Sequence, residues 1–302
     1  MPTLHEIHAE ISNTESKPAE DRVRHQYLAK LAEYTQVPTL LYASCFTIKE
    51  APSPLLQIDR PDIQLFMSAL KDIQGNELDI IIHSSGGSAE ATEQVVNYLR
   101  SKFERIRVIV PQSAMSAATM FACSADEIIM GKHSSLGPID PQLISGKFAV
   151  AAQSIIDEFD LAQRQVNNPD NNPVLWVHKL QQYPPGLLIQ CQNQIDLAKQ
   201  LVEEWLYQYM FGAKADAGPK AGEIAAWLSD AKHFLSHGRS IGFQEAKRRG
   251  LKVRQLEDDQ TLQELVLSVF HCMVATFQRG PSVKIVENHL GKGTYVHFEM
   301  NE

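Results

Sequence analysis

The chain has 302 residues, 44% of them hydrophobic and 21% charged, a composition typical of a globular protein of one or two domains. Its formal charge of −8 and its pI near 5.8 argue against nucleic acid as a partner, because binding to nucleic acid depends mainly on Lys and Arg. The polar first residues lack a signal-peptide pattern, and no window approaches the roughly 18 apolar residues of a membrane helix. We therefore expect a cytoplasmic protein that does not bind a membrane.

The spacing of apolar residues predicts alternating strands and helices in the first half of the chain. Residues 1–36 read as a polar helical arm, available for packing on a partner subunit. After this arm the pattern predicts strands at 39–43, 78–83, 106–110 and 128–130, and helices at 60–73, 89–103 and 116–123. Strands separated by helices form βαβ units, so the sequence predicts a mostly parallel sheet with helices on both faces.

The second half is predicted to be mainly helical. Residues 148–212 look almost wholly helical, with a break at 183–186. Further along, the pattern predicts helices at 222–229, 242–249 and 259–277, a strand at 251–253 and an irregular or β-ribbon tail. The predicted organisation is an arm at 1–36, a catalytic domain at 37–255 with a helical insertion at about 150–230, and a carboxyl-terminal helix and tail at 256–302.

The cysteines and the missing ligand motifs limit the chemistry. Four cysteines lie far apart without metal-ligand spacing, and we expect them to be buried free thiols: Cys45, Cys123, Cys191 and Cys272. The sequence has no P-loop and no clustered ligand set. It therefore implies no metal, nucleotide or other cofactor.

The first motif with catalytic chemistry follows the Ile-rich strand at 79–83. The turn Ser84-Ser85-Gly86-Gly87-Ser88 contains two glycines, which allow close approach of the backbone to a ligand. The Gly87 amide could then point into a cleft and bind an oxyanion. The alternative is a plain tight turn between a strand and a helix.

The second motif lies at the start of the predicted helix of small residues. Ser116 stands at its amino terminus, where a serine commonly caps the helix. The same position places the hydroxyl at the positive end of the helix dipole, with the Ala117 amide next to it. Successive βα turns meet at the carboxyl edge of a parallel sheet, so this serine and the Gly87 amide are expected to converge.

The order of three motifs resembles that of the Clp-fold serine peptidases in the Clp/crotonase superfamily. These are Ile81 to Ser88, Ala114 to Thr119, and Ser134-Ser135-Leu136-Gly137-Pro138-Ile139-Asp140-Pro141-Gln142. The resemblance extends over about residues 38–255 and is greatest to the serine dehydrogenase proteinase family, relatives of the Clp proteolytic subunit and signal peptide peptidase A. It implies a repeated ββα spiral with a mostly parallel sheet and a helical insertion.

The resemblance also implies roles for individual residues. Ser116 would be the nucleophile, the Gly87 and Ala117 amides the oxyanion hole, and Asp140 the acidic member of a triad. The segment from His237 to Ala246, followed by Gly250-Leu251, resembles the family's histidine segment, which makes His237 the expected general base. Gly86 and Ser88 are assigned to substrate binding by their position in the turn.

Alternatives remain open for several of these roles. His133 and His233 are rival histidines, and Lys132 and Lys147 are rival bases of the Ser-Lys type. Asp140 lies between Ile139 and Pro141, and an Asp before Pro is common in turns, so its role could be to form the turn. His237 could be an ordinary loop histidine.

Three functions are compatible with these residues. The first is a serine endopeptidase that acts on protein or peptide substrates through an acyl-enzyme. The second is a crotonase-like acyl-CoA enzyme, in which the amide pair polarises a thioester and carboxylates do the chemistry. The third is a non-catalytic assembly or peptide-binding protein.

Members of the Clp/crotonase superfamily assemble into rings. The resemblance therefore implies a homo-oligomer, built as a ring or from trimers.

Overall fold

The computed structural model describes residues 3–14, 18–145, 148–172, 174–212 and 214–299. The helices are α1 (Leu4–Ser12), α2 (Ala19–Thr35), α3 (Ser53–Leu56), α4 (Asp62–Ala69), α5 (Ala89–Arg100), α6 (Ala117–Cys123), α7 (Ala152–Val166), α8 (Val174–Leu180), α9 (Leu187–Trp205), α10 (Ala217–Leu228), α11 (Ala231–Phe234), α12 (Phe243–Arg248) and α13 (Gln260–Arg279). The strands are β1 (Thr39–Ser44), β2 (Glu77–His83), β3 (Arg105–Val110), β4 (Ser113–Ala114), β5 (Glu127–Met130), β6 (Ser135–Leu136), β7 (Gln142–Ser145), β8 (Phe148–Ala151), β9 (Ile241–Gly242), β10 (Val253–Gln255), β11 (Ser282–Asn288) and β12 (Gly293–His297). A π-helical turn (Leu206–Met210) continues α9, and a 3-10 turn (Leu256–Asp258) precedes α13.

The main sheet has seven strands in the order β10-β5-β3-β2-β1-β11-β12. The five strands from β10 to β1 are parallel to their neighbours, while β11 and β12 pair antiparallel. The predicted α/β class with a mostly parallel sheet is confirmed.

Alternate residues of the parallel strands enter two separate hydrophobic cores, as strand geometry requires. On β2, Ile80 and Ile82 face a core that includes α4, α5, α6, α9 and α10. Ile81 faces the opposite core, which is covered by α2 and α13. Because both faces are covered, the strands are nearly continuously apolar, as is usual for buried parallel sheets.

The first 36 residues form the helices α1 and α2, which pack on the body of the protein. α2 lies along α13, and its Leu28 and Leu31 are fully buried in the core on that face of the sheet. Ile7 and Ile11 of α1 are buried against α2 and α13. The apolar spacing that predicts the helices therefore serves packing within the same chain.

The last residues are also more deeply integrated than a tail. β11 lies inside the main sheet beside β1, and all seven of its residues are buried. Val283 and Ile285 point into the core under α13. Polar β11 residues are tolerated there because they are bonded, as when the Asn288 side chain donates to the Ala69 carbonyl at 2.6 Å.

The region predicted as almost wholly helical begins with a strand. β7 and β8 form an antiparallel hairpin, in which Leu143 pairs with Val150. These two side chains pack on the small cluster around Ala152, Ile155 and Cys191 of α7 and α9. The rest of the predicted insertion is helical, and the predicted break at 183–186 directly precedes α9.

All four cysteines are buried and free, as the sequence predicts. None of the helices within the described residues is both long and apolar enough to cross a membrane.

A buried charge cluster joins the two ends of the chain. Arg24 of α2 and Glu287 of β11 are both fully buried and form an ion pair, to which Tyr295 adds a hydrogen bond to Glu287 at 2.6 Å. Burial favours the neutral acid, but Arg24 and the hydrogen bonds from His25 and Arg24 outweigh burial and lower the pKa of Glu287 to about 2. The cluster therefore holds the amino-terminal helices against the carboxyl-terminal ribbon.

Replacing Glu287 by Gln is expected to lower the free energy of unfolding by about 3–5 kcal/mol, because it leaves the Arg24 charge buried without its partner. Urea unfolding at pH 7 measures the loss. Glu20→Gln on the same helix is the control, since Glu20 belongs to a partly exposed pair with Arg279 and should cost less than about 1 kcal/mol. Equal losses in the two variants would contradict this account.

The same pair predicts how stability depends on pH. The pKa of Glu287 is about 2 in the folded protein and about 4.3 in an unfolded chain, so its stabilisation is complete above the unfolded value and lost as the pH falls toward 2. The stability difference between wild type and Glu287→Gln should be constant from pH 7 to about 5 and shrink below. A difference that stays constant down to about pH 3 would argue against the ion pair.

Candidate active site

The two turns predicted to converge meet at the carboxyl edge of the main sheet. The Ser84 amide donates to the Ser113 carbonyl at 3.1 Å, and the Met115 amide donates to the Ser84 carbonyl at 3.0 Å. These hydrogen bonds tie the turn after β2 to the loop that contains β4. The start of α6 is thereby held beside the glycines.

Gly86 makes the closest contact between the two turns. A Cβ atom at this position would lie 2.5 Å from the Met115 carbonyl oxygen, 2.7 Å from the Ser116 Cβ and 2.8 Å from the Ala117 nitrogen. The φ of Gly86 is also +96°, a conformation that favours glycine. Only glycine fits here.

The orientation of the Gly87 amide is set by Ile58, which forms a parallel bridge with Gly87. The Ile58 amide donates to the Gly86 carbonyl at 2.8 Å, and the Ser88 amide donates to the Ile58 carbonyl at 2.9 Å. In a trans peptide the carbonyl and the following amide point in opposite directions. The Gly87 amide therefore points away from Ile58.

Ser116 has an unusual backbone for a residue other than glycine, with φ 52° and ψ −121°. It stands at the N-cap position of α6, yet its hydroxyl makes no capping hydrogen bond. Ala117 is the first residue of α6, where amides have no acceptor within the helix. Strained backbone of this kind is found where a fold fixes a functional group, and here it leaves the half-buried hydroxyl free of the capping role.

Asp140 and His237 are brought together although they lie 97 positions apart. The Nδ1 of His237 lies 2.8 Å from the Oδ1 of Asp140, and Gln142 donates from its side chain to the Oδ2 at 2.7 Å. The Asp140 side chain is 5% exposed and that of His237 29%. This geometry suits the imidazole tautomer that carries its hydrogen on Nδ1, in which Nε2 is the acceptor.

A small sheet in the order β4-β6-β9 connects these groups. Its strands immediately precede or follow the site loops: β4 leads into Ser116, β6 precedes Asp140, and β9 follows His237. Thr119 adds a further link, because its hydroxyl donates to the Ala114 carbonyl at 2.7 Å and accepts from the Gly137 amide at 2.9 Å. The arrangement fixes all three loops at one edge of the molecule.

The rival bases occupy different surroundings. His133, His233 and Lys132 are exposed, and Lys147 lies outside the described residues. His83, the last residue of β2, is buried, and burial lowers its pKa to about 3, so its ring is neutral. Among the histidines considered from sequence, His237 has the carboxylate partner at this edge.

The two residues assigned to substrate binding already use their polar groups in the fold. The Ser88 hydroxyl caps α5 by accepting from the Ala91 amide at 3.1 Å. The Gly86 amide donates to the Ser84 hydroxyl at 3.1 Å, and its carbonyl accepts from Ile58. Their substrate-binding roles stay predictions, and the structure adds a structural role for each.

Sequence reasoning missed Ile58, Thr119 and Gln142 as parts of the site. A single bridge residue has no periodic pattern that could reveal it, and Thr119 reads as one more small residue of α6. Gln142 did have a signal, since it lies two positions after Asp140, within reach of that carboxylate. Within the described ranges, no group of three His, Cys, Asp or Glu residues could hold a metal ion.

The segment that contains both turns and the acidic loop is similar to a known family. Residues 61–183 match the family model of the ClpP-like SDH-type serine proteinases, and the predicted resemblance is confirmed over this segment. The matched segment contains Gly87, Ser116, Ala117 and Asp140. It ends before His237, which the hydrogen bond to Asp140 connects to the site.

Two curated relatives are uncharacterised proteins of Methanocaldococcus jannaschii, each 30% identical to this chain. One matches over 192 residues, 62% of this chain and 58% of the relative, and the other over 179 residues, 58% of this chain and 51% of the relative. The chain thus spans little more than half the length of these relatives.

Two solved structures match the chain at low identity. ClpP1 from Listeria monocytogenes is 14% identical, with a TM-score of 0.40 over 78% of this chain and 98% of that chain. A mutant of a membrane-bound stomatin-specific protease is 16% identical, with a TM-score of 0.39 over 69% of this chain and 79% of that chain.

Gly86→Ala is expected to lower the free energy of unfolding by about 2–5 kcal/mol, since the left-handed backbone and the contact with the Ser116 turn both oppose a Cβ. Gly75→Ala is the matched control: its φ is +105°, but no atom lies within 4 Å of the added Cβ. The free energy of unfolding of Gly75→Ala should fall only by the cost of a left-handed backbone, about 1–2 kcal/mol. Equal losses in urea unfolding would show that the close contact is unimportant.

Proposed function

We propose that this chain is a serine endopeptidase that hydrolyses peptide bonds through an acyl-enzyme on Ser116. The observation that carries the proposal is the 2.8 Å hydrogen bond between His237 and Asp140, whose loops the small sheet of β4, β6 and β9 joins to the Ser116 loop. The match of residues 61–183 to a serine proteinase family supports the same class of chemistry.

In the first step, the Ser116 hydroxyl attacks the carbonyl carbon of the scissile peptide bond. The Nε2 of His237 accepts the hydroxyl proton, and Asp140 stabilises the resulting imidazolium through Nδ1. Gln142 holds the second carboxylate oxygen of Asp140, which keeps the first oxygen directed at the ring. The burial of Asp140 strengthens this interaction, because little water competes for it.

The oxyanion that forms in this step needs donors that are already oriented. The Gly87 amide points away from Ile58, and the Ala117 amide is at the amino terminus of α6, beside the nucleophile. Among the described residues, neither amide donates a backbone hydrogen bond outside regular structure. Both therefore remain available for the substrate oxygen.

The imidazolium of His237 then gives its proton to the leaving amine, and the carbon–nitrogen bond breaks. Water attacks the acyl-enzyme with His237 again as base, which releases the carboxylic acid product and restores Ser116. In the part of the chain that the structure describes, Ser116 and His237 form no hydrogen bond with each other. Catalytic hydrogen bonds commonly tighten when substrate binds, so this contact is assigned to the substrate complex.

Labelling with a fluorophosphonate probe tests the nucleophile and its base. Ser116→Ala should abolish labelling, His237→Ala should slow it by about 10²–10⁴-fold, and Asp140→Asn by up to about 10⁴-fold through loss of the correct tautomer. In-gel fluorescence over time measures the rates, and circular dichroism confirms the fold of each variant.

His233→Ala is the matched control, because His233 is an exposed histidine four positions before His237. Its labelling rate should equal that of wild type. Absence of labelling in folded wild type would overturn the proposal, and labelling that survives in His237→Ala at the wild-type rate would remove His237 from it.

We also propose that the chain forms a homo-oligomer through its helical insertion. Large apolar side chains are exposed on α7, α8 and α9, of which α7 packs against both of the others, and apolar surface of this kind is used in contacts between proteins. They are Leu161, Val166, Val174, Val177 and Ile189.

Ile189, 68% exposed, gives the most direct test of the oligomer. Ile189→Glu should reduce the molar mass measured by light scattering, because a charge buried at the contact is costly. Leu290→Glu is the control, since Leu290 is 51% exposed but lies between β11 and β12. A monomeric wild type would contradict the proposed assembly.

A further inference from the structure

A buried ion pair lies close to the oxyanion turn without belonging to the predicted triad. The Nζ of Lys284 on β11 lies 2.7 Å and 2.9 Å from the two carboxylate oxygens of Asp62, in the first turn of α4. Each side chain is 3% exposed. Since apolar residues can replace a buried ion pair with little loss of stability, a role in positioning is a better explanation of the pair than stability.

The pair holds the backbone on both sides of Ile58. Lys284 donates to the Gln57 carbonyl at 2.7 Å, and the Asp59 amide donates to Asp62 at 3.3 Å. The Tyr42 hydroxyl completes the arrangement by donating to Asp62 at 2.6 Å. Burial, together with Asp62, raises the pKa of Tyr42 well above its usual value, so this donor keeps its hydrogen.

We propose that Lys284 and Asp62 are positioning residues for the oxyanion hole, which act through Ile58 on the amide of Gly87. The inference rests on the proposed function, because it names the residues that orient one of its two oxyanion donors. Neither side chain touches the reacting atoms.

The chain of contacts is short. The Ile58 amide holds the Gly86 carbonyl at 2.8 Å, and the Ile58 carbonyl holds the Ser88 amide at 2.9 Å. The Gly86–Gly87 peptide lies between two glycines, whose backbones have little intrinsic preference between rotated states. The orientation of the Gly86–Gly87 peptide is therefore set by its hydrogen bonds with Ile58. The orientation of Ile58 is set in turn by Gln57 and Asp59, the two neighbours that the ion pair holds.

A rotated Gly86–Gly87 peptide would turn its carbonyl, instead of the Gly87 amide, toward the substrate oxygen. The consequence is loss of transition-state stabilisation, because an oxyanion donor contributes only when it is oriented before the reaction. Activation of the nucleophile by His237 does not involve Ile58 and should be unaffected.

The experiment separates these two effects with two reactions. Lys284→Met and the double variant Asp62→Asn/Lys284→Met are prepared; the double variant leaves no unpaired charge in the interior. Fluorophosphonate labelling of Ser116, which places an oxygen in the oxyanion hole, should slow by about 10- to 100-fold in both. Alkylation by iodoacetamide in the Ser116→Cys background depends on thiolate formation and needs no oxyanion donor, so its rate should stay within about twofold.

Two controls test for the loss of a lysine charge and for the destabilisation of β11. Lys292→Met removes an exposed lysine that pairs with Asp72 near the same ribbon, and Ile285→Ala destabilises β11 from its other face. Neither should slow labelling of the folded protein. Melting temperatures are recorded for every variant so that labelling is compared at temperatures where each is folded.

Labelling of the folded double variant at the wild-type rate would overturn the inference. A parallel fall in labelling and alkylation, or an equal fall in Ile285→Ala, would also overturn it, since each indicates general disturbance. Failure of wild type itself to react with fluorophosphonate would instead reject the proposed function and, with it, this role for the pair. The two failures are therefore distinguishable.

Discussion

The backbone of Gly86 lies against that of Ser116 so closely that no Cβ atom could be placed between them. This contact fixes the turn after β2 relative to the start of α6, and the rest of the site is arranged around it. It brings a backbone amide to one side of a half-buried serine hydroxyl. The positive φ of Ser116 is maintained by this packing, which is how strained residues persist in folded proteins.

Distant parts of the chain hold this contact in place. The small sheet of β4, β6 and β9 joins the Ser116 loop to the loops of Asp140 and His237. From the opposite side, Lys284 of β11 supports Ile58 through Gln57. The carboxyl-terminal ribbon is thus part of the architecture of the site, and the buried pair of Arg24 and Glu287 anchors that ribbon to the first helices.

Local patterns were sufficient to predict the parallel sheet, the helices around it and the two turns. Apolar periodicity identifies β1, β2, β3 and β5, and paired glycines or small residues mark the points where strands turn into helices. The predicted partnership of Asp140 with His237 was implied by the resemblance to the serine dehydrogenase proteinase family, since nothing local links residues so far apart.

Contacts between distant segments account for what the sequence did not reveal. β11 contains Lys284, Glu287 and Asn288, and such polar residues predict an exposed segment. They are buried because each is bonded to a partner from a distant part of the chain. The bridge between Ile58 and Gly87 is an isolated one, so no periodic pattern of residues in the sequence predicts it. The hairpin of β7 and β8 is too short to be separated from a helix by periodicity, because four-residue runs match both patterns.

Trapping of an acyl-enzyme is the most direct test of the central claim that Ser116 is an activated nucleophile. Purified protein is mixed with an activated p-nitrophenyl ester, and p-nitrophenolate release and the mass of the quenched chain are measured. The account predicts a rapid burst of about one equivalent per chain, with the acyl group on Ser116. No burst, or an acyl group on another residue, would contradict it.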